Sequence, residues 1–331
     1  MVHDEGILSL VGNTPLLKLN KFIEDSHFNL YAKLESFNPG HSIKERPGLN
    51  MIVNALEQGI ITKDTTIIES TSGNLGVALA MICAYLDMKF ICVTDARSTK
   101  ANRQIIKAYG ATLDIVEEPD PEIGTFLAAR LKRVQHLLDT IPNSYNLNQY
   151  QNPNNPAAHH TTLREIVTKL DHKLDYLFCS TSTCGTLRGA SDYLRGNGYD
   201  THIVAVDARG SVIFGDLPNV RLIPGHGAGV MPPHYQHDLE DEHILVSDLD
   251  CVVGCKKLVL SEGIFAGGSS GGVMSAILKM KDQIPPQANV AAILSDHGAR
   301  YLDTIYDDEW VAEHFGDIAD LIKAPKSVLT T

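Results

Sequence analysis

The stretch Ile67-Ile68-Glu69-Ser70-Thr71-Ser72-Gly73-Asn74-Leu75-Gly76 decides the fold, together with the apolar run at 77–86 that follows it. It predicts a short buried strand, then a turn of hydroxyl-bearing residues and glycine, then a helix. Backbone amides at such a helix start, with the turn hydroxyls beside them, suit an anion of carboxylate size. Taken alone, the pattern also fits an ordinary tight turn of an α/β protein.

A second stretch has the same design. It reads Tyr176-Leu177-Phe178-Cys179-Ser180-Thr181-Ser182-Thr183-Cys184-Gly185-Thr186, and a helical pattern follows it. A strand that runs into small residues at a helix start is typical of a phosphate site built from amides and hydroxyls. An ordinary turn is again the alternative, because strand–turn–helix units with Ser and Gly are common.

The segment Asn38-Pro39-Gly40-His41-Ser42-Ile43-Lys44-Glu45-Arg46 contributes an unusual lysine. Ser42 followed by Glu45 resembles a capping box, which predicts a helix that begins at Ser42 and places Lys44 in its first turn. The helix dipole disfavours a cation there, so we expect a lowered pKa and a nucleophilic amine. A solvated surface lysine is the alternative. A nucleophilic lysine, a carboxylate site and a phosphate site together suit pyridoxal 5′-phosphate (PLP).

Strand and helix patterns alternate along most of the chain, which predicts an α/β fold with mostly parallel sheets covered by helices. The predicted strands are Leu30–Leu34, Thr66–Glu69, Phe90–Thr94, Thr112–Val116, Tyr176–Cys179, His202–Asp207 and Val290–Leu294. The predicted helices are Ile43–Gln58, Asn74–Leu86, Ala101–Tyr109, Phe126–Thr140, Ala157–Leu170, Thr186–Leu194, Lys256–Glu262 and Ser270–Lys279.

Two irregular stretches suggest the organisation of the chain. Asn and Pro cluster at 142–156, which we interpret as a crossover between a smaller domain, 35–150, and a larger PLP-binding domain formed by 1–34 and 151–331. The second stretch, 210–233, is rich in glycine and proline, and a loop of that length is more often functional than incidental.

Composition excludes several classes of function. The formal net charge is −12 and no run of basic residues occurs, which argues against nucleic acid or an acidic membrane surface as a partner. No apolar stretch has transmembrane length, and the acidic start lacks a signal-peptide core. Six cysteines without a CxxC pair predict buried, reduced thiols, no metal site and a cytoplasmic protein. No G-x-G-x-x-G follows the first strand, which weakens a dinucleotide-binding interpretation.

Five motifs in order resemble fold type II PLP enzymes, the family of cysteine synthase and the cystathionine β-synthase core, with a tryptophan synthase β-like fold. The motifs are Gly12-Asn13-Thr14-Pro15, the N-P-G-x-S-x-K-x-R box around Lys44, Thr71-Ser72-Gly73-Asn74-x-Gly76, the loop at 182–186, and Glu262-Gly263-Ile264-Phe265-Ala266-Gly267-Gly268-Ser269-Ser270-Gly271. The resemblance runs from Val11 to about Leu302, which is most of the chain.

The resemblance implies a role for each matching residue. Lys44 would bind the PLP aldehyde covalently, and Asn74 would hydrogen-bond the pyridoxal 3′-oxygen. Ser269 would face the pyridine nitrogen, where a hydroxyl makes the ring a weaker electron sink than an aspartate would. The cofactor phosphate would be held by Ser182, Thr183, Cys184, Gly185 and Thr186. The substrate α-carboxylate would be held by Thr71, Ser72, Gly73 and Gln149.

Departures from the family pattern suggest a narrower branch. Cys184 replaces a glycine of the usual G-T-G-G-T loop, Leu75 replaces a threonine, Tyr150 replaces a phenylalanine, and His226 stands in the usual G-I-G loop. Together with the stretches Asp207–Asp216 and Ser295–Asp303, these changes make the chain resemble N-(2-amino-2-carboxyethyl)-L-glutamate synthases of 2,3-diaminopropionate and siderophore biosynthesis. That resemblance implies small amino-acid substrates, O-phospho-L-serine and L-glutamate, and a cytoplasmic homodimer.

Phosphoserine brings a doubly charged leaving group, so the site should supply a cation. Arg130 is the candidate for contact with phosphate or a glutamate carboxylate, and the alternative is a surface arginine on an amphipathic helix. Tyr150 is a second candidate for substrate contact, with a core tyrosine as its alternative. Two rival functions stay open: a cysteine synthase or phosphoserine sulfhydrylase that uses sulfide, and a non-catalytic regulatory protein with this fold.

Overall fold

The computed structural model of the protein describes residues 6–71 and 73–322, and the chain divides into two units. Unit 1 contains residues 6–12 and 38–158, and unit 2 contains 13–37 and 159–322. Each unit has its own sheet and its own apolar core. The domain limits expected from the sequence, 35–150 against 1–34 with 151–331, stay a prediction.

Unit 1 is built on a four-stranded parallel sheet. Its strands are β3 (Thr66–Ser70), β4 (Phe90–Asp95), β5 (Thr112–Val116) and β6 (Ser144–Tyr145), in the order β5-β4-β3-β6. Its helices are α1 (Glu45–Glu57), α2 (Asn74–Tyr85), α3 (Lys100–Ala108) and α4 (Phe126–Thr140), and a 3₁₀ helix covers Gly6–Leu10. Residues 75–83 of α2 are all buried, which explains why this segment is apolar on every side.

Unit 2 is built on a six-stranded sheet in the order β1-β2-β10-β7-β8-β9. The strands are β1 (Leu16–Leu19), β2 (Asn29–Leu34), β7 (Tyr176–Ser180), β8 (His202–Ala208), β9 (Glu242–Val246) and β10 (Asn289–Leu294). All neighbours pair parallel except β1 with β2. The helices are α5 (Asn154–Lys169, which begins in unit 1), α6 (Gly185–Gly196), α7 (Asp248–Glu262), α8 (Gly268–Met280) and α9 (Asp308–Phe315); 3₁₀ helices cover Glu35–Phe37 and Gly298–Tyr301.

Helices α7 and α8 approach each other closely. A Cβ atom added to Gly254 would lie 2.0 Å from the carbonyl oxygen of Gly271, and one added to Gly271 would lie 2.1 Å from the carbonyl oxygen of Cys251. Only glycine allows this backbone contact, so part of the glycine-rich motif at 267–272 serves helix packing. The packing fixes the start of α8, which carries Ser269.

The structure confirms the α/β class with parallel-rich sheets, and each predicted strand and helix is present with ends that differ by a few residues in most cases. The largest difference is α7, which begins at Asp248 and not at Lys256. Ser247 and Asp250 form a capping box there, with reciprocal hydrogen bonds between side chain and backbone. The sequence pattern had missed this start signal.

Three short strands and one helix were not predicted. β1 and β9 lie at the two edges of the larger sheet. They have only four and five residues, and the polar residues Lys18, Glu242 and His243 shorten their apolar runs. β6 has two residues, which is too short for any periodicity. α9 begins where Asp307 caps the amides of Glu309 and Trp310. No helix within residues 6–71 and 73–322 is long and apolar enough to cross a membrane.

Candidate active site

The predicted carboxylate loop, residues 71–74, lies at a switch point of the unit 1 sheet. The chain runs from β3 outward to β4 and β5, whereas β6 pairs with the other side of β3. Ligands of open α/β sheets bind at the carboxyl ends of strands at such points. The segment after β6 therefore meets the loop after β3, and the side-chain Nε2 of Gln149 donates a 2.9 Å hydrogen bond to the carbonyl oxygen of Ser70.

The start of α2 has the form expected of an anion site. Gly73 precedes the helix, Asn74 is its first residue, and the amide of Gly73 lies 3.4 Å from Oγ1 of the buried Thr71. Amides of a first helical turn point away from the helix body toward a ligand. The structure thus brings Thr71, Gly73 and Asn74 together with Gln149. Ser72 lies outside the described residues, so its predicted contact stays a prediction.

Lys44 lies immediately before α1 and not in its first turn, so the predicted helix start at Ser42 is wrong. The first i to i+4 bond of the helix joins the Gly48 amide to the Lys44 carbonyl oxygen, at 3.0 Å. Pro47 has no amide hydrogen and cannot bond to Ile43, so regular helix cannot begin earlier. Part of the capping interaction is present, because the Glu45 carboxylate accepts a 2.9 Å bond from the Ser42 amide.

Arg130 is 7% exposed, which rules out the surface arginine considered as an alternative. It lies on α4, and its Nε is 3.5 Å from Oδ2 of Asp95, the last residue of β4. Neither Nε nor Nη1 makes a hydrogen bond with any described residue. Buried guanidinium donors without acceptors are costly. Arg130 is therefore a cation with spare donors at the carboxyl end of this sheet.

Tyr150 belongs to the same group of side chains. Burial raises the pKa of its phenol, and the nearby Arg130 charge opposes that shift while the Glu69 and Asp95 charges add to it. Tyr150 is half-buried by accessible surface. The two predicted candidates, Arg130 and Tyr150, therefore influence each other electrostatically.

Glu69 was not singled out by the sequence. It is 1% exposed, and burial raises its pKa to about 8 even though backbone amides of Asn148, Gln149 and Ser70 lower it. Its Oε2 accepts a 3.1 Å hydrogen bond from Nδ2 of Asn146. An acidic residue within a strand predicted to be buried was the available signal, since buried carboxyl groups need dedicated partners.

The predicted phosphate loop, Ser182–Thr186, lies at the switch point of the unit 2 sheet. There β7 is flanked by β8 on one side and by β10 on the other, so the connections leave in opposite directions. The loop ends at the start of α6, with half-exposed Ser182, Thr183 and Thr186 around the buried Cys184. This set of hydroxyls and helix-start amides fits a phosphate dianion.

Cys184 adopts the left-handed conformation, with φ of 62° and ψ of 9°. The position favours glycine, and a cysteine there costs about 1–2 kcal/mol of backbone strain. Its side chain is 2% exposed and burial raises the pKa of its thiol, so it contributes packing and not a reactive thiolate. All six cysteines are buried and unpaired, as the sequence predicted.

Ser269 is the second residue of α8 and is buried. The next residue, Ser270, accepts a 2.9 Å hydrogen bond at Oγ from the amide of Ser295, which directly follows β10. Ser295 Oγ is in turn 3.4 Å from Ser180 Oγ at the end of β7. The start of α8 therefore lies beside the strand ends that carry the phosphate loop.

Two further residues support the phosphate loop. The fully buried Asp207 accepts a 2.7 Å hydrogen bond from Oγ1 of Thr181, the residue before the loop. His226 lies in the long segment after β8, its Nε2 donates to the carbonyl oxygen of Val206 at 3.2 Å and its Nδ1 lies 3.6 Å from Cys251 Sγ, and burial lowers the pKa of its imidazole. The neighbouring Gly227 amide bonds the carbonyl oxygen of Thr181 at 2.8 Å. The sequence marked His226 only as a departure, and Asp207 only as the first residue of a stretch typical of the narrower branch.

Comparison with known proteins identifies the family. Residues 7–296 match the family described as pyridoxal-phosphate dependent enzyme. The chain belongs to this family. It is similar to a hydrogen sulfide-producing enzyme from Fusobacterium nucleatum, at 33% identity and a TM-score of 0.83, over 90% of this chain and 99% of that one.

Two other solved structures of the family are similarly close. An O-acetylserine dependent cystathionine β-synthase from Helicobacter pylori is 32% identical, with a TM-score of 0.84, over 91% of this chain and 98% of that one. An O-ureido-L-serine synthase is 29% identical, with a TM-score of 0.84, over 92% and 98%. The protein is therefore a PLP-dependent β-replacement enzyme of the cysteine synthase family.

Proposed function

We propose that the enzyme joins O-phospho-L-serine to L-glutamate, giving N-(2-amino-2-carboxyethyl)-L-glutamate and phosphate for 2,3-diaminopropionate and siderophore biosynthesis. The observation that carries the proposal is Arg130, a buried cation whose Nε and Nη1 make no hydrogen bond with the described residues. Both proposed substrates bring anionic groups beyond the α-carboxylate, and a planar guanidinium binds phosphate and carboxylate in a forked geometry.

The proposal assigns the cofactor and the substrate carboxylate to the residues predicted from the sequence. The helix-start donors at Ser182–Thr186 bind its phosphate, Asn74 and Ser269 contact its ring, and Lys44 binds its aldehyde. When bound, PLP withdraws electrons from the substrate α-carbon and makes the α-proton acidic. Thr71, Ser72, Gly73 and Gln149 bind the α-carboxylate and orient that carbon.

Lys44 acts as the acid and base on this scheme. Its amine takes the α-proton, and the Cβ–O bond breaks as phosphate leaves with the electron pair. The glutamate amine then forms the new Cβ–N bond and gives up a proton that ends on the released phosphate, and Lys44 returns the α-proton to the α-carbon. The reaction is a substitution at Cβ without net oxidation. Arg130 and Tyr150 bind the anionic and polar groups of phosphoserine or glutamate.

Sulfide as nucleophile is the second candidate. Its support is the 33% identity to a hydrogen sulfide-producing enzyme, because release of sulfide from a substrate is the reverse of its addition. Sulfide needs almost no binding pocket, whereas glutamate needs room and a partner for its side-chain carboxylate. A homodimer in the cytoplasm is part of the proposal, as in the sequence interpretation.

Mass spectrometry of products tests the proposal directly. The purified enzyme is incubated with phosphoserine and ¹⁵N-labelled glutamate, and separately with phosphoserine and each of a panel of amines. We expect a labelled adduct of the two amino acids and equimolar phosphate with glutamate alone. Lys44→Ala serves as the control for non-enzymatic product. An adduct with a different amine, or none with any amine, would reject glutamate as the substrate.

A further inference from the structure

Glu69 lies where the mechanism above gives it no role, yet its surroundings are highly organised. It occupies the fourth position of β3, whose five residues are all buried, and it precedes the carboxylate loop by two residues. A carboxyl group at such a position costs folding energy unless it is bonded on most sides. Apart from the amide of the neighbouring Ser70, the groups that bond Glu69 belong to one segment, residues 146–149.

Asn146 links this segment to β3. Its side-chain Nδ2 donates to the carbonyl oxygen of Ile68 at 2.7 Å and to Oε2 of Glu69 at 3.1 Å. The backbone amides of Asn148 and Gln149 also face the Glu69 carboxyl group. Asn148 has a φ of 53°, and a left-handed residue turns consecutive amides toward one side of the chain. Glu69 thus fills a concave cluster of donors formed by the turn that carries Gln149.

We propose that Glu69 is a positioning residue for Gln149, which it holds in place to bind the substrate α-carboxylate. The remaining contacts of the segment agree with this role. Gln149 Nε2 bonds the Ser70 carbonyl oxygen at 2.9 Å, and Asn155 Nδ2 bonds the Gln149 carbonyl oxygen at 2.7 Å. Glu69 fixes the residues that precede Gln149, because it accepts the 3.1 Å hydrogen bond from Asn146 Nδ2. The proposal rests on the function proposed above only in assigning the α-carboxylate to Gln149.

Glu69→Gln keeps the size of the side chain and replaces one acceptor oxygen with a donor that opposes the facing amides. Kinetics at about pH 8.5, above the Glu69 pKa of about 8, give the largest contrast. We expect the KM for phosphoserine to rise about tenfold, the size of a lost bond to a charged group, with kcat within about threefold and PLP content unchanged. Glu117→Gln, at an exposed site of the same unit, is the matched control.

A double-mutant cycle with Gln149→Ala separates positioning from general stability. If Glu69 acts through Gln149, then Glu69→Gln adds less than about twofold to KM in the Gln149→Ala background. An unchanged KM in Glu69→Gln, or a full additional tenfold rise in the double variant, would overturn the proposal. If Glu69→Gln does not fold, Asn146→Ala decides: a raised KM with retained PLP supports the proposal, and an unchanged KM overturns it.

The same measurements with O-acetylserine and with sulfide keep this test independent of the proposed function. Every donor substrate of the reaction carries the α-carboxylate, so the Glu69 effect is expected with any leaving group and nucleophile. Product identity alone decides whether glutamate is the nucleophile.

Discussion

The carboxylate loop at 71–74 and the phosphate loop at Ser182–Thr186 are built alike but differ in their surroundings. Each follows a buried parallel strand, lies at the switch point of its own sheet and ends at a helix start. The carboxylate loop has the Gln149 side chain beside it and the buried Arg130 at the end of the next strand. The phosphate loop is anchored by an acid, Asp207, through Thr181.

The comparison indicates how the same strand–loop–helix structure is adapted to two different predicted anions. Helix-start amides supply affinity for an anion in both loops. In the proposed roles, the flanking side chains distinguish the loop that binds the cofactor from the loop that binds the substrate. In the proposed assignment, the cofactor phosphate binds the loop that contains the strained Cys184, whereas the substrate carboxylate binds groups such as Gln149 that belong to a separate segment.

The largest expected effect belongs to Lys44, which stands outside both loops. Lys44→Ala should lower turnover by more than about a thousandfold, because it removes the proposed acid and base, and should leave the fold intact. Steady-state assays and circular dichroism measure the two quantities, with the exposed Lys63→Ala as the control. Appreciable turnover without an added amine would show that another group moves the proton.

Arg130→Ala should lower kcat/KM for phosphoserine by about tenfold to a thousandfold, since a charge-assisted contact is lost. The kcat/KM for O-acetylserine should fall less if Arg130 contacts the leaving group. An equal fall for both substrates would indicate that Arg130 contacts glutamate or has a structural role. Asp95 loses its buried partner, so thermal stability is measured alongside. Arg133→Ala, on the same helix but paired with Asp114 near the surface, is the control. Unchanged kinetics would show that Arg130 contacts neither substrate.

A pair of threonine variants tests whether the two loops divide their tasks. Thr186→Val should weaken PLP retention by about 1–3 kcal/mol and leave the KM for phosphoserine unchanged at saturating PLP. Thr71→Val should raise that KM by the factor that corresponds to a similar free energy, and the variant should retain PLP. Dialysis followed by absorbance, and initial rates, give the two readouts. The same phenotype for both variants would contradict the division.

Unit 1 should show a pH-dependent stability that Glu69 causes. The native pKa of about 8 lies above the ordinary 4.5, so the folded state binds the proton more tightly than the unfolded state. The stabilisation is complete below the unfolded pKa and is lost as the pH rises toward 8, by up to about 1.4 kcal/mol per pH unit. Urea unfolding at several pH values should show this slope in the wild type, and a smaller one in Glu69→Gln. Equal slopes would mean that Glu69 is not the titrating group.

The smallest effect is expected in the phosphate loop. Cys184→Gly relieves the left-handed strain but loses a buried side chain and gains unfolded-state entropy, so its stability should stay within about 1 kcal/mol of the wild type. Cys184→Val should be clearly less stable, because a β-branched residue tolerates positive φ poorly. Thermal unfolding of both proteins measures this, and a Val variant as stable as the Gly variant would contradict the strain argument.

The sequence predicted the fold class, most elements and both anion loops because these features are local. Hydrophobic periodicity marks β3 and β7, and small residues mark the helix starts that follow them. The start of α1 was misplaced because the missing amide of Pro47 outweighs the capping pattern at Ser42. Edge strands such as β9 carry polar residues and leave no periodic signal.

The parts that the sequence did not reveal depend on contacts between distant residues. The pairing of Arg130 with Asp95 and the bond from Thr181 to Asp207 need the tertiary fold. Glu69 was visible as an acid in a buried strand, but its partners lie more than seventy residues away. Polar contacts between residues far apart in the sequence are therefore the features that the motifs do not reveal and the structure does.

Competition between nucleophiles tests the central claim most directly. The enzyme is given phosphoserine with glutamate and sulfide at equal concentrations, and both products are quantified by mass spectrometry in one reaction. The account predicts that the glutamate adduct dominates, and that Arg130→Ala lowers its yield more than that of cysteine if Arg130 contacts glutamate. Cysteine in excess by orders of magnitude would contradict the account and make the enzyme a sulfide-dependent cysteine synthase.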